Sequence, residues 1–222
     1  IPGGCAAGLA IITAAFMTGT DPARIARLPD TTGMKNDVVI QRTHRNPYDH
    51  AIRQVGVRFV EIGNPLKTFD WELESAIGPA TAAVVYVYGR RTMHEPLSLQ
   101  ETVDIAHACC VPVIVDAAAE VPPTRNLRAL SETGADAVVI SGGKGLRGPQ
   151  NSALILTRQD IVEACLLNGS PNHSLGRSMK ITKEDMVGLV KAVELYLALD
   201  HAAIERGWAE DVSQVQTALQ GI

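Results

Sequence analysis

Two polar residues that could do chemistry follow apolar runs in the sequence. Asp116 comes directly after the apolar run 111–115, and Lys144 comes shortly after the run 137–140. A carboxylate at the end of an apolar strand is costly to bury unless another group pairs with it. Asp116 is therefore either a capping or salt-bridged residue, or a buried anion matched to a cationic ring nitrogen or a metal.

Lys144 lies in a glycine-rich segment, Ser141-Gly-Gly-Lys-Gly-Leu-Arg-Gly-Pro-Gln150. Glycines let a backbone approach a ligand closely, and a lysine amine that is partly desolvated in a tight turn can act as a nucleophile. The alternative is a surface turn with a solvated lysine. The segment is not a P-loop, because Gly145 follows Lys144 where that motif requires Ser or Thr.

The two segments together predict a cofactor site. Pyridoxal phosphate needs a lysine for its covalent link and an anionic partner for its ring nitrogen, and Lys144 and Asp116 supply both groups. Ser141 and the amino-terminal turn over residues 3–8 would hold the phosphate, since the first N–H groups of a helix bind anions. Taken alone, such a turn of small residues is more typical of packing than of binding.

The elements that must position these residues alternate between strands and helices. Apolar, β-branched runs predict strands over residues 38–41, 58–62, 82–88, 111–115, 137–140 and 152–156. Helices are predicted over residues 8–17, 46–56, 70–77, 99–109, 127–132 and 159–167, and a long helical region from Thr182 towards Gln220. This alternation predicts a three-layer α/β fold with a mostly parallel sheet, in which ligands bind at the carboxyl ends of the strands.

Composition excludes several classes of protein. Of the 222 residues, 46% are hydrophobic and 20% are charged, which excludes a disordered chain, a collagen and a charge-rich coiled coil. The net charge of −4 argues against a broad basic face for nucleic acid, and no apolar run reaches the roughly 18 residues that span a membrane. The four cysteines form no C-x-x-C pair and are interpreted as reduced, buried thiols of a cytoplasmic protein. His94, His107 and His173 lack metal-ligand spacing, so no metal site is predicted.

Three blocks of the sequence, residues 36–50, 115–123 and 141–150, resemble the selenocysteine synthase-like branch of the fold-type I pyridoxal-phosphate enzymes. The resemblance covers nearly the whole chain, including residues 176–184, and within the branch it is greatest to the D-glucosaminate-6-phosphate ammonia-lyases, whose relatives share the same blocks. It implies that residues 1–222 form a fold-type I large domain that binds the cofactor. Such enzymes usually carry a further amino-terminal segment and a small carboxyl-terminal domain. We therefore expect this chain to be part of a longer polypeptide.

The resemblance implies a role for each matching position. Lys144 would form the covalent link to pyridoxal 5'-phosphate, and Asp116 would partner its ring nitrogen. Ala118 would pack against one ring face, and His44 is the candidate for the other face unless it is a hydrogen-bonded structural histidine. The residues expected to bind the cofactor phosphate are Gly4, Cys5, Ala6 and Ser141.

Three arginines near these blocks are candidates for binding an anionic amino-acid substrate, because planar guanidinium groups suit carboxylate and phosphate. They are Arg147, Arg45 and Arg177, and the alternative for each is a solvated surface arginine. Gln150 would reach the cofactor or substrate phosphate of a neighbouring subunit, or else cap the following strand. Fold-type I enzymes are generally at least dimers, so we expect a homodimer or larger assembly, helped by apolar surface on the final helical region.

The expected reaction is an α,β-elimination. The resemblance implies a lyase that acts on a hydroxylated amino acid such as D-glucosaminate 6-phosphate and releases a 2-oxo acid and ammonia. A selenium transferase acting on seryl-tRNA uses the same elimination and remains an alternative, although the acidic composition disfavours it. A non-catalytic module that keeps the fold without the cofactor is a second alternative, disfavoured by the presence of Asp116, Ser141 and Lys144.

Overall fold

A single twisted sheet forms the centre of the computed structural model, which describes residues 1–89 and 96–220. Within these residues the sheet has six strands in the order β2-β1-β3-β4-β5-β6. The strands are β1 (Asp37–Gln41), β2 (Arg58–Ile62), β3 (Thr81–Val87), β4 (Val113–Asp116), β5 (Ala137–Ser141) and β6 (Ala153–Thr157). All neighbouring pairs are parallel except β5 and β6, which are antiparallel. The predicted mostly parallel sheet is therefore confirmed.

Helices cover both faces of this sheet. They are α1 (Cys5–Thr18), α2 (Pro22–Arg27), α3 (Asp49–Arg53), α4 (Asp70–Ala76), α5 (Leu99–Ala108), α6 (Asn126–Glu132), α7 (Gln159–Asn168), α8 (Lys183–Leu197) and α9 (His201–Leu219). Helices α1, α3 and α7 lie on one face, and α4, α5 and α6 lie on the other. This is the three-layer α/β arrangement that the alternating pattern predicts.

The core depends on strands that are apolar on both faces. Val38 and Ile40 of β1 pack in the cluster below α1, whereas Val39 between them packs in the cluster on the opposite face. All three side chains are almost completely buried. Helix α1 is itself buried along most of its length, which explains why it is built of small and apolar residues rather than an amphipathic pattern.

Some predicted helix boundaries were wrong. The helix expected over residues 46–56 is confined to Asp49–Arg53, preceded by a short 3-10 helix at Arg42–His44. The long region from Thr182 divides into α8 and α9, because Asp200 starts a new helix by accepting a hydrogen bond from the Ala203 N–H at 2.9 Å. Helix α2, which Asp21 caps in the same way, was not predicted.

The edge formed by the carboxyl ends of β1, β3, β4 and β5 also receives the amino terminus of α1. Ser141 at the end of β5 pairs with Ala153 at the start of β6, and the Ala153 N–H donates to the Pro2 carbonyl at 3.2 Å. The residues that precede α1 are therefore fixed beside the last residue of β5. The fold thus brings the amino-terminal turn to the edge where the sequence places Asp116 and Lys144.

Three further observations concern the described residues. None of their helices is both long and apolar enough to cross a membrane, and they contain no group of three or more residues that could hold a metal ion. His94 lies outside the described residues. The four cysteines are free, but Cys109 and Cys110 are exposed at the end of α5, so the prediction of uniformly buried thiols was wrong.

Candidate active site

Asp116 is the last residue of β4 and is buried with its carboxylate facing the sheet edge. Only 8% of its surface is exposed, and its Oδ1 accepts a hydrogen bond from the Ala118 N–H at 3.1 Å. Burial raises the pKa of Asp116, while the Ala118 hydrogen bond and the nearby charge of Lys144 oppose that rise. Among the described residues, no group hydrogen-bonds to Oδ2. This carboxylate can therefore accept a proton-bearing or cationic partner.

Lys144 lies in a loop just beyond β5, residues 142–148, which we call the lysine loop and which closes on itself. The Gly148 N–H donates to the Gly142 carbonyl at 2.7 Å, and the Arg147 N–H donates to the Lys144 carbonyl at 2.9 Å. The Lys144 side chain is exposed. The expectation of a partly desolvated lysine was therefore wrong, because Lys144 lies in a loop beyond the end of β5.

Gly145 fixes the lysine loop against the loop that follows Asp116. A Cβ atom at Gly145 would lie 1.6 Å from the Val121 carbonyl oxygen, which is far inside van der Waals contact. The backbone of residue 145 therefore lies directly on residue 121, with no space for a side chain. This contact explains the glycine after Lys144, and it fixes the lysine relative to the end of β4.

Cys5 lies where four parts of the chain meet. The pKa of its thiol is affected by the Ser141 side chain and by the charges of Asp116 and Lys144, so all three groups lie near it. Burial, and secondarily the Asp116 charge, raises the pKa of Cys5 to about 12, so the thiol is protonated and not a nucleophile. The start of α1, the ends of β4 and β5 and the lysine loop thus form one cluster.

The amino terminus of α1 offers unpaired donors beside this cluster. Gly4 precedes the helix with φ of 100°, a conformation that favours glycine, and no side chain caps the helix. The first intrahelical bond runs from the Gly8 N–H to the Gly4 carbonyl at 2.9 Å. Within residues 1–89 and 96–220 the N–H groups of Cys5 and Ala6 have no hydrogen-bond partner, so they can bind an anion. Together with Ser141, they form an arrangement that fits a phosphate group.

His44 is packed inside the protein, close to the end of β3. It is 2% exposed, its ring meets Tyr86 edge-on at 4.5 Å between centroids, and its Nδ1 accepts from the Val87 N–H at 3.3 Å. Burial lowers the pKa of His44 to about 4, so the ring is neutral. Its Nε2 is buried without a hydrogen-bond partner among the described residues. These contacts are those of the structural alternative rather than of a ring-stacking residue.

The three candidate arginines have different surroundings. Arg45 forms ion pairs with Asp49 and with Glu61, the latter at 2.6 Å, and these carboxylates raise its pKa. Arg177 is exposed, and its guanidinium donates to Ser170 Oγ at 3.4 Å. The charge of Arg45 is therefore already balanced by two carboxylates.

Arg147 differs from Arg45 in having no acidic partner among the described residues. Its side chain is exposed and its backbone has φ of 55°, which is uncommon for a residue other than glycine. It lies in the same closed loop as Lys144. Of the three arginines, Arg147 is the one that the fold places beside the lysine with its charge unpaired.

Gln150 and Ala118 are held by contacts within the same chain. The Gln150 amide donates to the Gly143 carbonyl at 3.0 Å, so its side chain turns back to the lysine loop. Ala118 is half-buried, and its carbonyl accepts from the Ser141 N–H at 3.4 Å while its own N–H binds Asp116. Ala118 therefore joins the ends of β4 and β5 within the cluster.

A small cleft beside Asp116 contains a residue that sequence reasoning missed. Tyr48 lines this cleft, and its side chain is 66% exposed. The other lining residues are Leu9, Ile40, Asn46, Asp49, Ile52, Val85, Val87 and Asp116. The available signal was the position of Tyr48 in the loop after β1, since loops at the carboxyl edge of a parallel sheet carry binding residues.

The sequence matches a family model and several characterised enzymes. The model described as SelA, L-seryl-tRNA selenium transferase, matches residues 38–207. D-glucosaminate-6-phosphate ammonia lyase from Salmonella typhimurium is 39% identical over 97% of this chain and 58% of its own length. A 5'-C-glycyluridine monooxygenase-decarboxylase from a Streptomyces species is 40% identical over 88% of this chain and 49% of its own length.

The fold matches a solved structure of the same kind. A structure of D-glucosaminate-6-phosphate ammonia-lyase superposes with a TM-score of 0.82 at 40% identity, over 90% of this chain and 53% of that one. The predicted fold class is thus confirmed. The chain spans roughly half the length of these relatives.

Proposed function

Because the chain belongs to the SelA, L-seryl-tRNA selenium transferase, family, we propose that it forms the cofactor-binding large domain of a pyridoxal-phosphate-dependent lyase. The reaction is an α,β-elimination from a hydroxylated, anionic amino acid such as D-glucosaminate 6-phosphate. It yields a 2-oxo acid and ammonia. The proposal rests on one observation above all: Asp116, Lys144, Ser141 and Cys5 form a single cluster at the carboxyl edge of the sheet.

The residues of this cluster fit pyridoxal 5'-phosphate. Asp116 is a buried carboxylate with an unpaired oxygen, as a protonated ring nitrogen requires. The free N–H groups at the start of α1 and the Ser141 hydroxyl would hold the phosphate. Lys144 is exposed beside them and would hold the cofactor through Nζ.

Each residue has a distinct chemical task. Bound pyridoxal 5'-phosphate supplies an electron sink for the negative charge that develops at the substrate Cα. Lys144 Nζ moves the proton of the substrate Cα, and the Asp116 carboxylate holds a proton on the ring nitrogen. Arg147 binds the anionic group of the substrate, because its guanidinium lies in the lysine loop and has no carboxylate partner among the described residues.

The first test is the covalent link. Titration of the protein with pyridoxal 5'-phosphate should produce an imine absorbance that Lys144→Ala abolishes. The matched control is Lys35→Ala, because Lys35 is also exposed but precedes β1, away from the carboxyl edge. An absorbance that Lys144→Ala leaves unchanged would overturn the proposed role of the lysine.

The second test identifies the substrate. Purified protein loaded with cofactor should release 2-oxo acid and ammonia from amino-sugar acids, with a preference for 6-phosphates over the unphosphorylated acids. Arg147→Ala should raise KM for the phosphorylated substrate far more than it lowers kcat, because it removes a binding contact. Equal turnover of both kinds of acid would contradict a phosphate contact.

A selenium transferase reaction on seryl-tRNA is the second candidate. The observation that favours it is the family model, whose description names that activity. The net charge of −4 opposes it, since tRNA binding requires many phosphate contacts. A gel shift with seryl-tRNA whose affinity falls steeply with salt would favour the transferase over the lyase.

A further inference from the structure

Glu120 is an acidic residue of the loop after β4 to which the proposed function gives no task. It follows Asp116 in the same loop and is half-buried. Its N–H donates to the Ala117 carbonyl at 3.1 Å, and its own carbonyl accepts from the Asn126 side-chain amide at 2.6 Å. Asn126 is buried at the start of α6. The backbone of Glu120 is therefore held on both sides at the carboxyl edge of the sheet.

The carboxyl group of Glu120 lies against Gly89, just beyond the end of β3. A Cβ atom at Gly89 would be 2.9 Å from Glu120 Oε1, so the carboxyl group occupies the space where a side chain at position 89 would begin. The preceding residue, Tyr88, donates its N–H to the Asp116 carbonyl at 2.9 Å. The Glu120 carboxyl group thus lies beside the ends of β3 and β4, on the edge that carries Asp116.

The residue after Glu120 contacts the lysine loop. The Val121 carbonyl oxygen is the atom that a Cβ atom at Gly145 would meet at 1.6 Å, and Gly145 directly follows Lys144. Glu120 is therefore positioned by the lysine loop on one side and by the end of β3 on the other. Ligands of parallel sheets bind at this edge. A substrate that binds between Lys144 and Asp116 would lie next to Glu120.

The proposed elimination needs an acid that the residues assigned so far do not supply. Hydroxide is a poor leaving group unless it receives a proton as its bond to carbon breaks. Asp116 is assigned to the ring nitrogen of the cofactor. Asp49 and Glu61, two other carboxylates near this edge, both form ion pairs with Arg45.

We propose that Glu120 is the general acid that protonates the leaving hydroxyl group of the substrate. This inference rests on the proposed function, since it adds a second proton transfer to the same reaction. Lys144 Nζ takes the proton from Cα, and the electron pair of that C–H bond ends in the Cα–Cβ double bond. The Cβ–O bond breaks, and the Glu120 carboxyl group gives its proton to the departing oxygen, which leaves as water. Proton exchange with solvent then restores both side chains.

The test compares two leaving groups in Glu120→Gln, which keeps the shape of the side chain and removes the acid. The substrates are D-glucosaminate 6-phosphate and its 3-chloro-3-deoxy analogue, because chloride leaves without a proton. We expect Glu120→Gln to lower kcat for the hydroxyl substrate by about 100-fold or more, and for the chloro analogue by about 3-fold or less. Glu120→Asp keeps an acid and should recover part of the lost kcat.

Two further measurements distinguish an acid from a structural residue. Titration with pyridoxal 5'-phosphate should give Glu120→Gln the wild-type absorbance and an affinity within about 3-fold of wild type, because the acid acts on the substrate. NMR in deuterated water should still show exchange of the substrate Cα proton, since Lys144 is intact. Glu132→Gln is the matched control, because Glu132 is exposed at the end of α6, and it should behave as wild type throughout.

The two proposals fail in different ways. If wild-type protein is active but Glu120→Gln loses equal activity with both substrates, or loses none, Glu120 is not the acid and the lyase proposal stands. The same holds if Glu120→Gln no longer gives the Lys144-dependent absorbance, since Glu120 would then serve the cofactor site instead. If wild-type protein shows no such absorbance or no elimination, the proposed function fails and the inference about Glu120 fails with it.

Discussion

Asp116 is the residue at which stability and function conflict most directly. A buried carboxylate without a cationic contact destabilises the fold, and the raised pKa of Asp116 reports that cost. The same carboxylate is suited to a protonated ring nitrogen once a cofactor is bound. Residues of this kind lower the stability of the empty protein in exchange for a prepared site.

Asp116→Asn should separate the two effects. It removes the buried charge and keeps the shape, so the free energy of unfolding without cofactor should stay the same or rise by about 1 kcal/mol. Affinity for pyridoxal 5'-phosphate should fall at least about 10-fold, because the ring nitrogen loses its anionic partner. Urea unfolding and cofactor titration measure the two quantities. A loss of more than about 2 kcal/mol without cofactor would instead identify Asp116 as a structural residue.

His44 predicts how stability depends on pH. Its folded pKa of about 4 lies below the ordinary value of 6.5 because the ring is buried. As pH falls from 6.5 towards 4, the unfolded chain binds a proton that the folded chain does not, so the free energy of unfolding should decrease. The decrease should reach at most about 3 kcal/mol.

Comparison with two variants isolates this effect. Urea unfolding between pH 4 and 6.5 should show a smaller decrease for His44→Gln than for wild type, since the titrating ring is gone. His173→Gln is the control, because His173 is exposed. An identical pH dependence in wild type and His44→Gln would contradict a neutral, buried ring.

At the scale of elements, the important contact is between two loops rather than between strands. The lysine loop contacts the loop after β4 where Gly145 packs on Val121. The lysine loop is also closed by its own hydrogen bond, from the Gly148 N–H to the Gly142 carbonyl. Asp116 and Lys144 are 28 positions apart in sequence and are positioned by parallel neighbours β4 and β5. The strands set the approximate separation of the two residues, and the loop contact fixes it.

Gly145→Ala should disrupt this contact. The new methyl group would lie 1.6 Å from the Val121 carbonyl oxygen, so one of the two loops must move. We expect the free energy of unfolding to fall by about 1–3 kcal/mol and the Lys144-dependent absorbance to weaken.

Gly207→Ala is the matched control for this prediction. Gly207 lies in α9, and a Cβ atom there meets no atom within 4 Å. The substitution should therefore stabilise the helix by up to about 1 kcal/mol. If Gly145→Ala behaved like Gly207→Ala, the loop contact would not constrain the lysine.

At the scale of the whole molecule, the exposed apolar residues of α8 and α9 stand out. Helix α9 has no buried residue, and one of its stripes contains Trp208, Val212, Val215 and Leu219, all between 46% and 58% exposed. Their spacing of three and four residues places them on one face of the helix. The expected apolar surface on the final helical region is therefore present, and we propose that it supports a homodimer or larger assembly.

Sedimentation at micromolar concentration tests this assembly. We expect wild-type protein to sediment with a mass above 23.7 kDa, the mass of a single chain. Val212→Lys should lower the observed mass towards 23.7 kDa, since a charge in the stripe opposes burial. Gln214→Lys, on the same helix outside the stripe, should leave the mass unchanged. A 23.7 kDa species that still binds cofactor tightly would contradict the assembly.

The sequence by itself determined the features that depend on neighbouring residues. Apolar β-branched runs predicted the strands, and the helix predicted from residue 99 starts there, where Ser98 and Glu101 form a capping box. The alternation of strands and helices then required a parallel sheet, which placed Asp116 and Lys144 at one edge. These inferences succeeded because periodicity and capping are local properties of a chain.

Only the tertiary structure decided what surrounds each candidate. The exposure of Lys144, the pairing of Arg45 with Glu61, the packing of His44 on Tyr86 and the position of Tyr48 beside Asp116 all join residues distant in sequence. Residue type restricts which contacts are possible, but the contact that forms depends on how strands and loops pack around it. Burial and pairing, which set the charge and availability of each side chain, therefore follow from the folded arrangement.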